Sequence, residues 1–226
     1  MRKIIFCLFF TGLMAGQAFA LELLLEPAGT YRTGLFDDKG AQILDYHAAS
    51  KRLFITNGGD KTIDVVSIED VDNPELLSKI PLDEAPLSVG VHPYREMIAV
   101  AIEGDPETDP GRVEFYTLDG ELLGSIVVGP LPDMLTWTRD GRQVLVANEG
   151  EPTNTDYEPE DGVFVDPNGS VSIITLGPGM PLQQKVEKAT VVEVGFEGFN
   201  DKKQELLDKG VRIFGPGATV AQDLEP

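Results

Sequence analysis

Short apolar runs alternate with polar turns along most of this chain, in the pattern of β-strands. Three fifteen-residue windows align without a gap, with starts 45 and 46 residues apart: residues 45–59 (DYHAASKRLFITNGG), 90–104 (GVHPYREMIAVAIEG) and 136–150 (TWTRDGRQVLVANEG). Each window contains a short strand, a polar turn, an apolar strand and a final glycine. The second strands (LFIT, IAVA and VLVA) are continuous apolar runs, which is typical of strands covered on both faces.

Further strands follow each window. Third strands are predicted at 62–68, 112–118 and 170–176, and fourth strands at 75–82 and 121–128. Four antiparallel strands in a unit of about 45 residues are typical of a β-propeller blade. A β-sandwich also uses short strands, but it would not keep one register through three successive units. We therefore predict an all-β fold, an incomplete β-propeller with blades near 43–82, 87–128 and 133–195 and the start of a fourth.

The two ends of this repeat array depart from the pattern. Residues 30–36 resemble the fourth strand of a blade that lacks its first three, an arrangement by which propellers commonly close. After residue 176 the sequence GPGMP interrupts the repeat, and a strand-like segment at 189–196 precedes a predicted helix at 201–209. Asn200 is predicted to cap this helix and Gly210 to be its C′ residue.

Three blades and a fragment cannot form a ring, because propellers need about four to eight blades. We therefore expect the chain to be the N-terminal part of a larger propeller. We also expect that, expressed alone, it aggregates or pairs edge to edge. The open edges would be the strand at 30–36 and a third blade that lacks its fourth strand.

Residues 1–20 have the organisation of a secretory signal peptide. Two basic residues precede an apolar run at 4–15, and Ala-Phe-Ala at 18–20 supplies the cleavage pattern. Cleavage is expected after Ala20, so that residues 21–226 form the propeller part of a secreted, periplasmic or cell-surface protein. The apolar run is too short to span a membrane well, and no other segment could. The only cysteine is removed with the signal, so no disulfide is expected.

The charge balance is strongly acidic, with 38 acidic and 18 basic residues and a net charge of -20. This argues against a nucleic-acid partner, which would require clustered basic residues. It fits a soluble protein or one that collects cations.

Acidic residues are concentrated in the loops between second and third strands, which all leave one face of a propeller. Converging carboxylates suit Ca²⁺, which accepts about six to eight oxygen ligands in flexible geometry. The alternative, that these acidic loops are merely exposed to solvent, stays open. Neither the loop that contains Glu103 nor the loop that contains Glu149 has the ligand spacing of an EF-hand calcium site. The predicted cation ligands are Glu103, Asp105, Asp109, Glu149, Glu151 and Asp156.

Other candidates for chemistry have structural interpretations. His47 and His92 occupy equivalent positions in the first two blades and are expected to be turn or packing residues. Trp137 lies on an innermost strand and is expected in the core, and Ser88 has no base placed by any pattern. There is no nucleophile elbow, P-loop or paired-cysteine motif, so no catalytic residue is predicted.

Several phrases of the sequence resemble one family. They are TYRTGLFD (30–37), RLFITNGGDKTIDVVSI (52–68), LPDMLTWTRDGRQVLVANEGEP (131–152), DPNGSVSII (166–174) and GVRIFGPGATVAQDLEP (210–226). The chain resembles the choice-of-anchor I family, whose relatives include proteins labelled mesenchyme-specific cell surface glycoprotein, within the broader YVTN-type propeller group. The resemblance implies a seven-bladed propeller on exported or surface-attached bacterial proteins, with a continuation beyond Pro226. It brings no catalytic residues.

The leading interpretation is an exported or cell-surface β-propeller binding or scaffold module that binds calcium on its acidic loop face. Whether the protein is an enzyme is left open. The first alternative is a metal-dependent phosphoesterase of the alkaline-phosphatase or phytase kind, and the second is a YVTN-type lactonase. The expected partner is an extracellular ligand or protein that the sequence does not identify, and no cofactor other than Ca²⁺ is expected.

Overall fold

The computed structural model describes residues 24, 26–36, 39–152, 165–213 and 219–226. The predicted signal peptide at 1–20 and the predicted ligand Asp156 lie outside these residues. No helix in the described ranges has the length and apolar character needed to cross a membrane.

The described residues form three antiparallel four-stranded sheets, each built from four strands consecutive in sequence. The first blade contains β1 (Leu44–His47), β2 (Arg52–Asn57), β3 (Thr62–Ser67) and β4 (Glu75–Pro81). The second contains β5 (Pro86–Val91), β6 (Met97–Ile102), β7 (Pro110–Thr117) and β8 (Leu122–Pro130). The third contains β9 (Met134–Trp137), β10 (Gln143–Asn148), β11 (Ser170–Thr175) and β12 (Thr190–Gly195). This repeated topology confirms the predicted incomplete propeller.

Two apolar clusters hold the blades together. Phe54 and Val65 of the first blade pack with Ile98 of the second, and Phe115 of the second packs with Val144 of the third. Every residue of β6 is buried, because the middle blade has a sheet on each side, whereas β10 alternates between buried and half-buried positions. The complete burial of β6 therefore fits its central place in the row.

The strand predicted at 30–36 is not formed in this chain, and closure of a larger propeller by these residues stays a prediction. Two hydrogen bonds instead attach residues 29–31 to the first blade. The Gly29 amide donates to the Val71 carbonyl (2.8 Å), and the Tyr31 hydroxyl donates to Asp64 Oδ2 (2.7 Å). Since no described strand pairs with the segment, no ladder of backbone hydrogen bonds keeps it regular.

The third blade is complete, so the prediction that it lacks a fourth strand is wrong. β12 pairs with β11 along its whole length. Residues 176–189 between these two strands contain a short helix, α1 (Leu182–Glu187), that the sequence pattern did not indicate. Its residue Val186 is almost fully buried in the cluster between the second and third blades.

A helix follows β12 as predicted, with narrower bounds. A 3-10 helix (Glu197–Lys202) leads into α2 (Lys203–Asp208), and Gly210 follows with a positive φ of 83°. Asn200 does not cap α2, because its side-chain oxygen accepts from the Ala221 amide (2.9 Å). That contact ties the helical region to α3 (Val220–Asp223) near the end of the chain.

Candidate functional site

Backbone hydrogen bonds between loops fix the positions where two predicted ligands leave their strands. The Glu103 amide, just after β6, donates to the Ala85 carbonyl (3.2 Å). The Glu149 amide, just after β10, donates to the Leu131 carbonyl (2.9 Å). Both acceptors lie in loops that join one blade to the next. Loops of both kinds therefore share one face, which we call the acidic loop face.

Glu103 is the most buried carboxylate of this face, at 9% exposed. Its Oε2 atom accepts no hydrogen bond from the described residues and lies 3.6 Å from Lys39 Nζ. Burial raises the pKa of Glu103, and the Lys39 ammonium opposes that rise. Lys39 also donates to Glu107 Oε1 (3.3 Å). A lysine therefore already balances part of the charge on this side of the face.

The charge around Glu149 is different. Burial, and then the charges of Asp133, Glu151 and Glu225, raise the pKa of Glu149 to about 7. Burial, and then the charges of Glu225, Glu107 and Asp133, raise the pKa of Glu151. Every described charge that shifts these two groups is a carboxylate. A bound cation would relieve this repulsion directly.

A polar, open cavity of about 390 Å³ lies beside these groups. Of the six predicted ligands, Glu103, Asp105 and Glu151 line it, and the charge of Glu151 acts on Glu149. Asp109 does not line it, and its amide closes a turn onto the Pro106 carbonyl (2.8 Å). Among the residues described, no three carboxylates or histidines are arranged to hold a metal ion. The face therefore gathers oxygen ligands without a preformed coordination shell.

Two carboxylates that contribute to this face lie in the blade-to-blade loops and were not among the predicted ligands. Glu84 lines the cavity and pairs with Lys61 (2.7 Å), and Asp133 acts on Glu149. Acidic residues of these loops were not expected to be ligands. Propeller topology could have found them, because these loops leave the same face as the loops between second and third strands.

The two histidines and Trp137 make turn and packing contacts, as expected from the sequence. His92 is 3% exposed, its Nδ1 accepts from the Tyr94 amide (3.0 Å), and its Nε2 donates to the Gly141 carbonyl (2.9 Å). Its ring packs 4.6 Å from that of Trp137. Ser88 Oγ accepts from the Leu135 amide (3.2 Å). His47 Nδ1 bonds the Ser50 hydroxyl within its turn (2.8 Å).

The choice-of-anchor I domain family matches residues 42–226, which is most of the chain. This chain belongs to the choice-of-anchor I family. No curated protein matches it at a significant level.

Several solved structures are similar to this choice-of-anchor I chain. A putative 6-phosphogluconolactonase from Bacteroides fragilis aligns at 14% identity over 70% of this chain and 39% of its own, with a TM-score of 0.50. A putative 6-phosphogluconolactonase from Bacteroides uniformis aligns at 14% identity over 77% and 46%, with a TM-score of 0.48. Hydrazine synthase from Kuenenia stuttgartiensis aligns at 18% identity over 67% and 41%, with a TM-score of 0.48. The chain spans less than half of each of these proteins, and at 14% identity the likeness to the Bacteroides fragilis protein shows the fold alone.

Proposed function

We propose that this chain is part of an exported or cell-surface propeller that acts as a binding module and binds Ca²⁺ on its acidic loop face. Export is supported by the signal-peptide pattern at 1–20 and by membership of the choice-of-anchor family. The observation that carries the ion proposal is the environment of Glu149, whose pKa is raised to about 7 by burial and surrounding carboxylates.

Calcium suits this face better than magnesium does. Ca²⁺ accepts a variable number of oxygen ligands in flexible geometry, whereas Mg²⁺ demands near-ideal octahedral geometry. The carboxylates of Glu149 and Glu151 lie near one another without a preformed shell, so small loop movements would complete the coordination. The ion would also replace the proton that Glu149 retains near neutral pH.

Thermal and urea unfolding of the full chain, with and without Ca²⁺, tests the proposal, and the fluorescence of its single tryptophan, Trp137, follows both. With a Kd of ~10⁻⁴ M, within the range of weak extracellular modules, 10 mM Ca²⁺ should add about 2.7 kcal/mol to the free energy of unfolding. The double variant Glu149→Gln with Glu151→Gln should lack this gain in stability. The matched control is Glu121→Gln in the turn between β7 and β8, on the opposite face, and it should retain the gain.

No stabilisation at millimolar Ca²⁺ would remove both the ion site and the calcium-dependent phosphoesterase alternative. If Ca²⁺ binds, the enzyme alternatives are tested by turnover of aryl phosphates, phytate and sugar lactones. Phosphate-ester turnover that is lost in the Glu149 and Glu151 variant would replace the binding module with a phosphoesterase. Lactone hydrolysis would favour the lactonase, and absence of all turnover would leave the binding module.

A further inference from the structure

A polar pocket of about 180 Å³ lies on the face opposite the acidic loops. It is formed by the turn after β5, the turn after β9 and the segment around α1. Three basic side chains line it, together with one carboxylate: Arg95, Arg142, Lys185 and Asp140. This local excess of positive charge occurs in a chain with 38 acidic and 18 basic residues. We propose that this pocket binds a small tetrahedral oxyanion, a phosphate or sulfate group.

Lys185 is held in place by the packing of its helix. The adjacent Val186 is 1% exposed and packs on the second blade. A β-carbon on Gly124 would lie only 2.7 Å from Val186 Cγ1. The glycine therefore permits the close approach of Val186 to the second blade. Lys185 Nζ donates to the Gly177 carbonyl (3.2 Å), and the other two ammonium hydrogens remain for an anion.

Among the described residues, the two arginines keep most of their donors for a ligand. Arg95 Nη1 donates to Met180 Sδ at 3.6 Å, and thioether sulfur is a weak acceptor. Arg142 Nε lies 3.6 Å from Asp140 Oδ2, an ion pair longer than a hydrogen bond. A guanidinium presents paired N–H groups that match the oxygens of phosphate or sulfate.

The carboxylate and the histidine at this pocket are already engaged. Asp140 Oδ1 accepts from the Thr138 hydroxyl (2.7 Å) and from the Arg142 amide (3.1 Å), and these bonds lower the pKa of Asp140. Burial, and then the charges of Arg95 and Lys185, lower the pKa of His92, so its ring stays neutral. Both ring nitrogens of His92 are hydrogen-bonded within the protein. His92 therefore forms a wall of the pocket, and the three cations are the ligands.

The size of the pocket and the range of electrostatic forces are consistent with this ligand. Pockets for drug-sized molecules are about 300–1,000 Å³, so 180 Å³ suits one small group. The net charge of -20 repels anions at long range, but that field is screened beyond about 8 Å at physiological salt. Among the charged residues that line the pocket, the three cations outnumber Asp140.

Calorimetric titration of the full chain with sodium phosphate and with sodium sulfate, in calcium-free buffer at fixed ionic strength, tests the proposal. Saturable binding is expected, and the double change Arg95→Gln with Arg142→Gln should weaken it at least tenfold. Arg142 has a side chain that is 82% exposed, so its loss should not unfold the protein. The matched control is Lys51→Gln, at the position of the first blade equivalent to Arg142, and it should leave the affinity unchanged.

Absence of saturable binding, or equal affinity in the double variant, would overturn the proposal. A phosphate or sulfate ester of a sugar, titrated in parallel, distinguishes the two sources of the anion. Tighter binding of the ester than of the free ion would identify the group as part of a larger ligand, and equal or weaker binding would identify the free ion. The variant Glu149→Gln with Glu151→Gln should bind phosphate normally, so failure of the calcium proposal leaves this one intact.

Discussion

Replacing Glu149 with glutamine should stabilise the protein above pH 7 and flatten the pH dependence of its stability. A carboxyl group whose pKa is raised on folding holds its proton more tightly in the folded chain than in the unfolded chain. Between about pH 4.5 and 7 the folded state therefore binds more protons. Stability falls as pH rises through this window, and above pH 7 the full cost is present. Glutamine does not ionise, so the variant does not lose this stability.

The magnitude follows from the shift in pKa, from 4.5 to about 7. At 1.36 kcal/mol per unit, complete conversion would give roughly 3.4 kcal/mol. The Glu149 side chain is only partly buried, so solvent screening reduces the effect. We expect a gain of about 1–2 kcal/mol for the variant at pH 8 and little gain at pH 4.5.

Urea unfolding followed by Trp137 fluorescence at pH 4.5 and pH 8, without divalent ions, measures this difference. Trp137 reports on the interface between the second and third blades, because its Nε1 donates to the Gly90 carbonyl (3.0 Å). The control Glu121→Gln removes a carboxylate from the opposite face and should not reproduce the change between the two pH values. A Glu149→Gln variant that is less stable at pH 8, or that gains equally at both pH values, would refute the reasoning.

Two further substitutions test how the blades are held together. Tyr31→Phe removes the hydroxyl that donates to the fully buried Asp64. The free energy of unfolding in urea should fall by about 1.5–3 kcal/mol, the range for hydrogen bonds to charged groups. An unchanged urea midpoint would show that residues 26–36 do not stabilise the first blade. Gly124→Ala places a β-carbon against Val186 and should cost about 1–3 kcal/mol. It should also weaken phosphate binding by displacing Lys185. Gly198→Ala, where a β-carbon meets nothing within 4 Å, is its control, and equal effects of the two would contradict the packing argument.

The blades could be predicted from the sequence because their strands are specified locally. Apolar runs such as Met97–Ile102 recur at a fixed spacing, and polar turns separate them. Residues 30–36 have a similar local pattern but form no strand, because a strand also needs a hydrogen-bonded neighbour. The short helix Leu182–Glu187 was missed because six residues are too few to show a helical period, and burial of Val186 stabilises a helix that no side chain caps.

The acidic loop face was only partly predictable for a related reason. Topology placed Glu103 and Glu149 on one face, and the structure agrees. The sequence could not show that Lys39 balances Glu103 while only carboxylates act on Glu149, because Lys39 lies outside the repeats. Asp109 was predicted as a ligand from its place in the loop after β6, but it does not line the cavity.

The two proposed sites lie at opposite ends of one strand, and their separation makes them independent at physiological salt. Arg142 precedes β10 and Glu149 follows it, so the six residues Gln143–Asn148 separate them. At about 3.3 Å per residue the strand spans roughly 20 Å, more than two Debye lengths at 0.15 M salt. At 0.01 M salt the Debye length is about 30 Å, and the carboxylates would then oppose anion binding. Filling the Glu149 site with Ca²⁺ at low salt should therefore strengthen sulfate binding at Arg142, whereas at 0.15 M salt it should have little effect.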